Sequence, residues 1–201
     1  MYATDNIVKK SAEFVVDLLD HHLPVNMSFH NKQHTELVVK ATIEIAQQNG
    51  LNKNEIFILQ TAAWFHDSGY CYSYQGHEDV STAIAGTFLK QLDCSEEYIV
   101  EVMACINATK MPQIASNQLQ QVICDADMYH FSLKDYSVYE QNLRKEWAAY
   151  LNKTYTDIEW LDLNINVLTA HIYFTDYGKT ILQKRKQMNI ERMQNFLSRL
   201  I

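Results

Sequence analysis

The stretch "AAWFHDSGY", residues 62–70, joins a strongly apolar segment to a histidine and an aspartate. Residues 56–65 ("IFILQTAAWF") are apolar on nearly every side of a helix, which predicts a helix buried at the centre of the fold. His66 and Asp67 follow at its end, and we expect Gly69 to end the helix. A buried charge is costly unless it is paired or coordinates a metal. The stretch therefore predicts a buried helix that leads into a polar site.

Helical spacing of apolar residues continues on both sides of this stretch. A first helix covers "IVKKSAEFVVDLLDHH" and ends before Pro24. A second runs from near Asn31 to the pair Asn49-Gly50, which suits a left-handed helix end. Asn52 and Glu55 have the spacing of a capping box at the start of the buried helix.

Six further helices are predicted, and the sequence shows no alternating strand pattern of useful length. Ser95 and Asp157 are the expected N-caps of two of them. We therefore predict an all-α fold in one domain, with a metal-binding core at about 27–131 and a C-terminal helical extension at about 132–201. The six helices are expected at about 77–92, 95–109, 117–130, 134–151, 157–173 and 176–199.

Composition excludes several classes of function. The net charge of −7 over 201 residues argues against a nucleic-acid polymer as partner. No uncharged apolar run reaches the about 18 residues of a membrane span, so no membrane association is expected. The four cysteines are scattered and form no C-x-x-C pair, and the N-terminus lacks the apolar core of a signal peptide. We therefore expect the cysteines to be reduced thiols and the protein to be cytoplasmic.

Histidines and aspartates recur where apolar runs begin or end. His30 and His34 lie four residues apart, His66-Asp67 follows, and Asp127 ends another apolar run. Two imidazoles and two carboxylates suit a divalent transition metal with positions left for water. Adjacent helical residues point about 100° apart, so the His-Asp pair converges on one ion only where its helix ends. The alternative for each residue is a hydrogen-bonded structural role.

The pattern H…HD…D resembles the HD-domain superfamily of metal-dependent phosphohydrolases. The similarity includes "FHN..H", "AAWFHDSGY", "GHE..S", "NATKMP" and "CDAD", and covers about residues 27–131. It implies one divalent ion per chain (Mn, Mg, Fe, Co, Ni or Zn) held by His34, His66, Asp67 and Asp127, with Asp67 also catalytic. Asp127 is preferred to Asp125 because the family's aspartate usually follows a small residue; Asp125 either orients a ligand or caps backbone.

Proton donors and phosphate-binding groups are also expected. His30 and His77 are the best proton donors, because a histidine pKa lies near 6.5. His30 matches the position at which cyclic-nucleotide-cleaving relatives carry a general acid. Lys110, His130 and Arg144 are the candidates for binding substrate phosphate, with exposed surface positions as the alternative for the lysine and the arginine.

Two differences from relatives bear on the mechanism. Several nucleotidase relatives carry acidic residues three or four positions after the HD pair, where this chain has Tyr70 and Cys71. In those relatives the acidic residues orient the attacking water. Here His77-Glu78 takes over that task, or Glu78 simply begins the next helix, where an acidic residue suits the helix dipole. Dinuclear relatives have two more histidines before the last aspartate, and this chain has only His77 there. A single metal ion is therefore favoured.

The predicted function is metal-dependent hydrolysis of a phosphoester or phosphoanhydride, in a nucleotide or other small phosphorylated metabolite, by a metal-activated water. One alternative is a non-haem iron oxygenase of the same fold, which needs a second iron. Another is a non-catalytic module that binds a nucleotide. The aromatic C-terminal helices are expected to add packed core, with a lid or a homodimer surface as the alternatives.

Overall fold

The computed structural model of the protein describes residues 5–200, which form helices and connecting turns without a β-strand. The all-α prediction is therefore confirmed for this part of the chain. Single turns of 3-10 helix occupy Ser68–Cys71 and Met128–Ser132, and a π-helical turn at Gly178–Leu182 leads into the last helix. The α-helices are α1 (Asp5–His22), α2 (Lys32–Gln48), α3 (Lys53–Phe65), α4 (His77–Gln91), α5 (Glu96–Ala108), α6 (Gln118–Asp127), α7 (Tyr136–Tyr150), α8 (Asp157–Ala170) and α9 (Gln183–Leu197).

The helices begin where the capping residues of the sequence predict, except that the N-cap of α8 is a different residue from the predicted one. Asn31 accepts hydrogen bonds from the backbone of α2, and Asn52 and Glu55 form a capping box on α3. Thr156 is the N-cap of α8, so the prediction that Asp157 would cap it is wrong. The threonine hydroxyl reaches the backbone three residues ahead while Asp157 lies in the first turn, where its charge suits the helix dipole.

Helix α3 lies at the centre of the main apolar core, as its composition predicts. Leu59, Ala62, Ala63 and Phe65 are fully buried, and α3 packs against α1, α2 and α5. The burial of residues on several sides of one helix explains why its sequence shows so little amphipathic pattern. None of the helices within residues 5–200 combines the length and apolar character needed to cross a bilayer.

Gly69 has a different role from the predicted one. Helix α3 ends at Phe65, and Gly69 lies in the following 3-10 turn. A Cβ atom on Gly69 would lie 2.0 Å from the carbonyl oxygen of His77, at the start of α4. The glycine is needed because two backbone segments approach each other here. This contact fixes the start of α4 beside the end of α3.

The C-terminal helices add a second, smaller apolar core. Its buried members come from the second 3-10 turn and from α7, α8 and α9. Asp125, at the end of α6, accepts hydrogen bonds from the backbone nitrogens of Phe174 and Thr175 at 2.7 and 2.9 Å. Asp125 therefore holds the segment that leads to α9. Of the two roles expected for this residue, capping backbone or orienting a ligand, the structure shows the first.

Candidate metal centre

Four side chains that are distant in sequence meet at one point of the fold. We call His34, His66, Asp67 and Asp127 the four-residue cluster. Nε2 of His34 lies 3.3 Å from Oδ2 of Asp67 and 3.4 Å from Oδ1 of Asp127. Nε2 of His66 lies 3.2 and 3.7 Å from the same two oxygens. The structure thus brings together all four residues that were expected to bind a metal.

Helix ends place each member of the cluster. His34 lies in the first turn of α2, where the Asn31 cap holds the backbone. His66 and Asp67 follow directly after α3, so the chain turns and aims both side chains to one side. Asp127 is the last residue of α6. The His-Asp pair thus lies where its helix ends, as the sequence predicts.

The donor atoms of the cluster are buried and lack hydrogen-bond partners. Three of these atoms are buried without a hydrogen-bond partner: Nε2 of His34, Nε2 of His66 and Oδ2 of Asp67. Buried polar atoms without partners are rare in native proteins and need an explanation. Two imidazole nitrogens with two carboxylate oxygens form a donor set that suits Mn, Fe, Co, Ni or Zn. The residues therefore fit the divalent ion that their pattern predicts.

Charges within the cluster shift each other's pKa strongly. Burial by itself lowers the pKa of His34, but the carboxylates of Asp127 and Asp67 outweigh it and raise the pKa to about 9. Burial would raise the pKa of Asp67, but the nearby His66 outweighs it and holds the value well below its usual range. The site therefore keeps its carboxylates ionised, and protons on the imidazoles compete with a metal ion.

His66 has its second ring nitrogen fixed by the backbone. Its Nδ1 lies 2.8 Å from the carbonyl oxygen of Ala63 and donates to it. This bond directs Nε2 to the centre of the cluster and keeps its lone pair there when the ring is neutral. Such a partner for the second nitrogen is typical of histidines that bind metals.

His30 is held by a buried glutamate from the C-terminal part of the chain. Nδ1 of His30 lies 2.5 Å from Oε1 of Glu146, and Oε2 of Glu146 accepts from the backbone nitrogens of Phe29 and His30 at 2.8 and 3.0 Å. Glu146 lies on α7 and is fully buried. Burial raises its pKa, but the bonds from His30 and the backbone outweigh this and lower it. The His30 ring lines the cavity beside the cluster, and its Nε2 lies 3.4 Å from the Tyr70 hydroxyl.

The other two histidines near the cluster have different surroundings. Nε2 of His77 lies 3.4 Å from Oδ1 of Asp67, the oxygen that does not face His34 and His66. Burial and the neighbouring His34 lower the pKa of His130 to about 3. Nδ1 of His130 donates to the carbonyl oxygen of Asp127 at 3.1 Å, so Nε2 of the neutral ring only accepts. In this arrangement His130, which was expected to bind substrate phosphate, uses its ring N–H within the protein.

Lys110 and Arg144 do not reach this site. The ammonium of Lys110 pairs with Asp79 at 2.5 Å on the surface. The guanidinium of Arg144 pairs with Asp157 at 2.8 Å and lines a different groove. Neither side chain lines the cavity beside the cluster. Both were expected to bind substrate phosphate, and the structure does not place them for that role, because each already has a carboxylate partner elsewhere.

A cavity of about 290 Å³ opens beside the cluster. This volume lies at the small end of the range of about 300 to 1,000 Å³ for small-molecule sites. One part of its lining carries the polar site residues, including His30, Asp67, His77 and Asp127. Helices α7 and α8 supply a second part, the apolar wall, which consists of Leu143, Trp147, Trp160, Leu163 and Val167.

Solved structures share this arrangement of helices. A predicted HD-superfamily hydrolase from an uncultured Thermotogales bacterium is 14% identical with a TM-score of 0.64, and covers 94% of this chain and 92% of its own. The Lin1889 protein of Listeria innocua is 18% identical with a TM-score of 0.66, and covers 98% and 94%. The chain has the same fold as these two proteins.

A third structural neighbour carries a ligand. Bacillus subtilis YpgQ, solved in complex with ADP, is 14% identical with a TM-score of 0.66, and covers 94% of this chain and 95% of its own. No protein-family model and no curated protein matches the sequence. The likeness to solved structures therefore establishes the fold. The chemistry of the site depends on its own residues, because one fold can carry many functions.

Sequence reasoning missed Glu146 and the apolar wall. Glu146 lies in the stretch "LRKEWAAY", where it looks like one of several charged residues on a helix surface. The one available signal was its place between Leu143 and Trp147 on the apolar side of α7, which is unusual for a charged residue. A carboxylate in such a position needs a buried partner, and His30 is that partner.

Proposed function

We propose that the protein is a metal-dependent phosphohydrolase that cleaves a phosphoester or phosphoanhydride in a small phosphorylated metabolite. The buried donor atoms of the four-residue cluster, which have no hydrogen-bond partner, carry this proposal. A divalent ion bound there lowers the pKa of a water toward about 7 and polarises a phosphoryl oxygen. The HD-superfamily fold and the ADP complex of one structural neighbour support a phosphorylated ligand.

The side chains around the cluster have separate tasks in this proposal. His77 contacts the outer oxygen of Asp67 and so orients the carboxylate that faces the two imidazoles. His30 lines the cavity, and Glu146 holds its ring through Nδ1, which leaves Nε2 for a proton that can be donated. We therefore assign His30 as the proton donor to the leaving group and His77 as a positioning residue. Glu146 acts through His30 and not on the substrate.

The number of candidate metal sites supports a hydrolase over a non-haem iron oxygenase, which needs a second iron. Within residues 5–200, only His34, His66 and Asp127 come close enough to form a metal-binding group by mutual distance, and Asp67 adjoins them. This single group fits one ion per chain. A homodimer and a cytoplasmic location stay predictions from the sequence.

Release of phosphate or pyrophosphate is the direct test. The full chain is loaded with Mn²⁺, Mg²⁺, Co²⁺ or Ni²⁺ and offered a panel of nucleotides and phosphomonoesters, and its metal content is measured by elemental analysis. We expect Asp67→Ala to lose metal and turnover together. Asp17→Ala, on the exposed surface of α1, is the matched control and keeps both.

Two results would contradict the proposal. Turnover of Asp67→Ala at the wild-type rate would exclude a reaction that depends on the cluster. Two irons per chain together with oxygen-dependent turnover would support the oxygenase instead.

A further inference from the structure

The cavity beside the four-residue cluster has few positive charges. No lysine or arginine among residues 5–200 lines it, while Asp67, Glu78 and Asp127 supply three carboxyl groups. A divalent ion at the cluster offsets two of these and leaves the third. A phosphomonoester carries about −1.5 to −2 charges at pH 7, and each further phosphate adds more. The cavity is therefore poorly suited to a chain of phosphates.

The histidines in the lining do not make up for the missing cations. Each already places one ring nitrogen against a protein acceptor. The three pairs are His30 with Glu146, His77 with Asp67, and His130 with the carbonyl oxygen of Asp127. Apart from these histidines, the side-chain donors of the lining are neutral groups such as the Tyr70 and Tyr74 hydroxyls, so the lining offers no lysine or arginine to a second or third phosphoryl group.

The apolar wall determines what the rest of a ligand meets. The polar side-chain atoms of Tyr136, Asn164 and Trp160 next to this wall are used within the protein. The Tyr136 hydroxyl donates to Oδ1 of Asn164 at 2.6 Å, and Nδ2 of Asn164 donates to the carbonyl oxygen of Trp160 at 2.7 Å. The indole nitrogen of Trp160 donates to Glu140. A ligand here therefore contacts aromatic faces and aliphatic groups, which favour an apolar or aromatic partner.

We propose that the substrate is the phosphomonoester of an apolar aromatic alcohol, with its phosphate at the four-residue cluster and its ring on the apolar wall. This inference rests on the proposed function. Hydrolysis then breaks the bond between phosphorus and the alcohol oxygen. Phosphorus gains the oxygen of water together with one of its hydrogens, and the second hydrogen of the water leaves as a proton to solvent. The alcohol leaves with a proton donated by His30, which regains a proton from solvent, and inorganic phosphate is released.

Binding is measured separately from turnover to test this substrate class. Titration calorimetry compares 1-naphthyl phosphate with ADP on the Mn²⁺-loaded His30→Ala protein, which lacks the proposed proton donor and so turns the ligand over slowly, and 1-naphthol is titrated into the metal-free protein. We expect 1-naphthyl phosphate to bind about tenfold or more tightly than ADP, because its ring buries apolar surface on the wall. We expect 1-naphthol to bind without metal, since the wall does not depend on the ion.

A pair of valine variants tests the missing cation. Val167 lines the cavity at its mouth and is 43% exposed, whereas Val138 on α7 is 56% exposed and does not line it. Val167→Lys supplies a positive charge beside the ligand and should reduce the preference for 1-naphthyl phosphate over ADP about threefold or more. Val138→Lys changes the net charge equally and should leave the preference unchanged.

The outcomes separate this inference from the proposed function. ADP binding as tightly as 1-naphthyl phosphate would overturn the substrate class, even if phosphate release upholds the hydrolase. An equal effect of Val138→Lys and Val167→Lys would also overturn it, because the absence of a cation from the cavity would then not determine the preference. Tight binding of 1-naphthyl phosphate and 1-naphthol without release of phosphate from any compound would support the binding preference and contradict the hydrolase.

Discussion

Replacing Glu146 by glutamine tests the link between the C-terminal helices and the site. Both carboxylate oxygens of Glu146 are surrounded by donors. Oε2 accepts from the backbone nitrogens of Phe29 and His30, and Oε1 accepts from Nδ1 of His30 and the Tyr74 hydroxyl. A glutamine amide nitrogen cannot accept, so either orientation of the new side chain leaves two donors without a partner.

The structure sets the size of the expected effect. A buried donor that loses its partner costs about 1 to 3 kcal/mol, so two of them cost about 2 to 6 kcal/mol of the free energy of unfolding. The turnover number should fall about tenfold or more, since general acid catalysis contributes about 100- to 10,000-fold and His30 loses its fixed orientation. The metal content should not change, because no hydrogen bond joins Glu146 to the four-residue cluster.

Urea unfolding, elemental analysis and steady-state kinetics measure the three quantities. The lowered pKa of Glu146 means that its stabilising effect is present at neutral pH and lost as the pH falls through that pKa. The stability difference between wild type and Glu146→Gln should therefore shrink in acid. Glu191→Gln, exposed on α9, is the control and should behave as wild type. A Glu146→Gln protein with wild-type stability and turnover would refute this reasoning.

Three other predictions follow from the geometry around the cluster. Metal affinity should rise with pH toward about 9, because the pKa of His34 is raised to that value in the metal-free protein and its proton must leave when the ion binds. Calorimetry in two buffers counts the protons released on metal binding. Binding without proton release would contradict the expectation. Gly69→Ala should destabilise the protein by more than about 1 kcal/mol and lower turnover, because the new Cβ would lie 2.0 Å from the backbone of His77; denaturant melts measure the loss, and an unchanged midpoint would count against it. Lys110→Ala should change neither KM nor the turnover number, since this side chain does not line the cavity; a raised KM in the same assay would return Lys110 to the substrate site.

Most of the fold and the metal-site residues could be predicted from the sequence, because their signals are local. Helical spacing, the capping box of Asn52 with Glu55 and the Asn31 cap all act within a few residues, and each appears in the structure. The members of the H…HD…D pattern lie at or next to helix starts and helix ends, which can be recognised in a sequence. The resemblance to the HD-domain superfamily then selected the four residues from among the neighbouring histidines and aspartates.

Only the tertiary structure decided which distant side chains complete the site. Glu146 lies 116 residues from His30, and their contact depends on how α7 packs against the turn before α2. The surface partners of Lys110 and Arg144 are likewise set by packing, and they remove two cations from the cavity. Local sequence patterns carry no information on such pairings, because a helix of a given pattern can turn its apolar face to many neighbours. The sequence and the family resemblance of its motifs therefore determined the helices and the candidate metal ligands, whereas the fold determined the partner of His30 and the apolar wall.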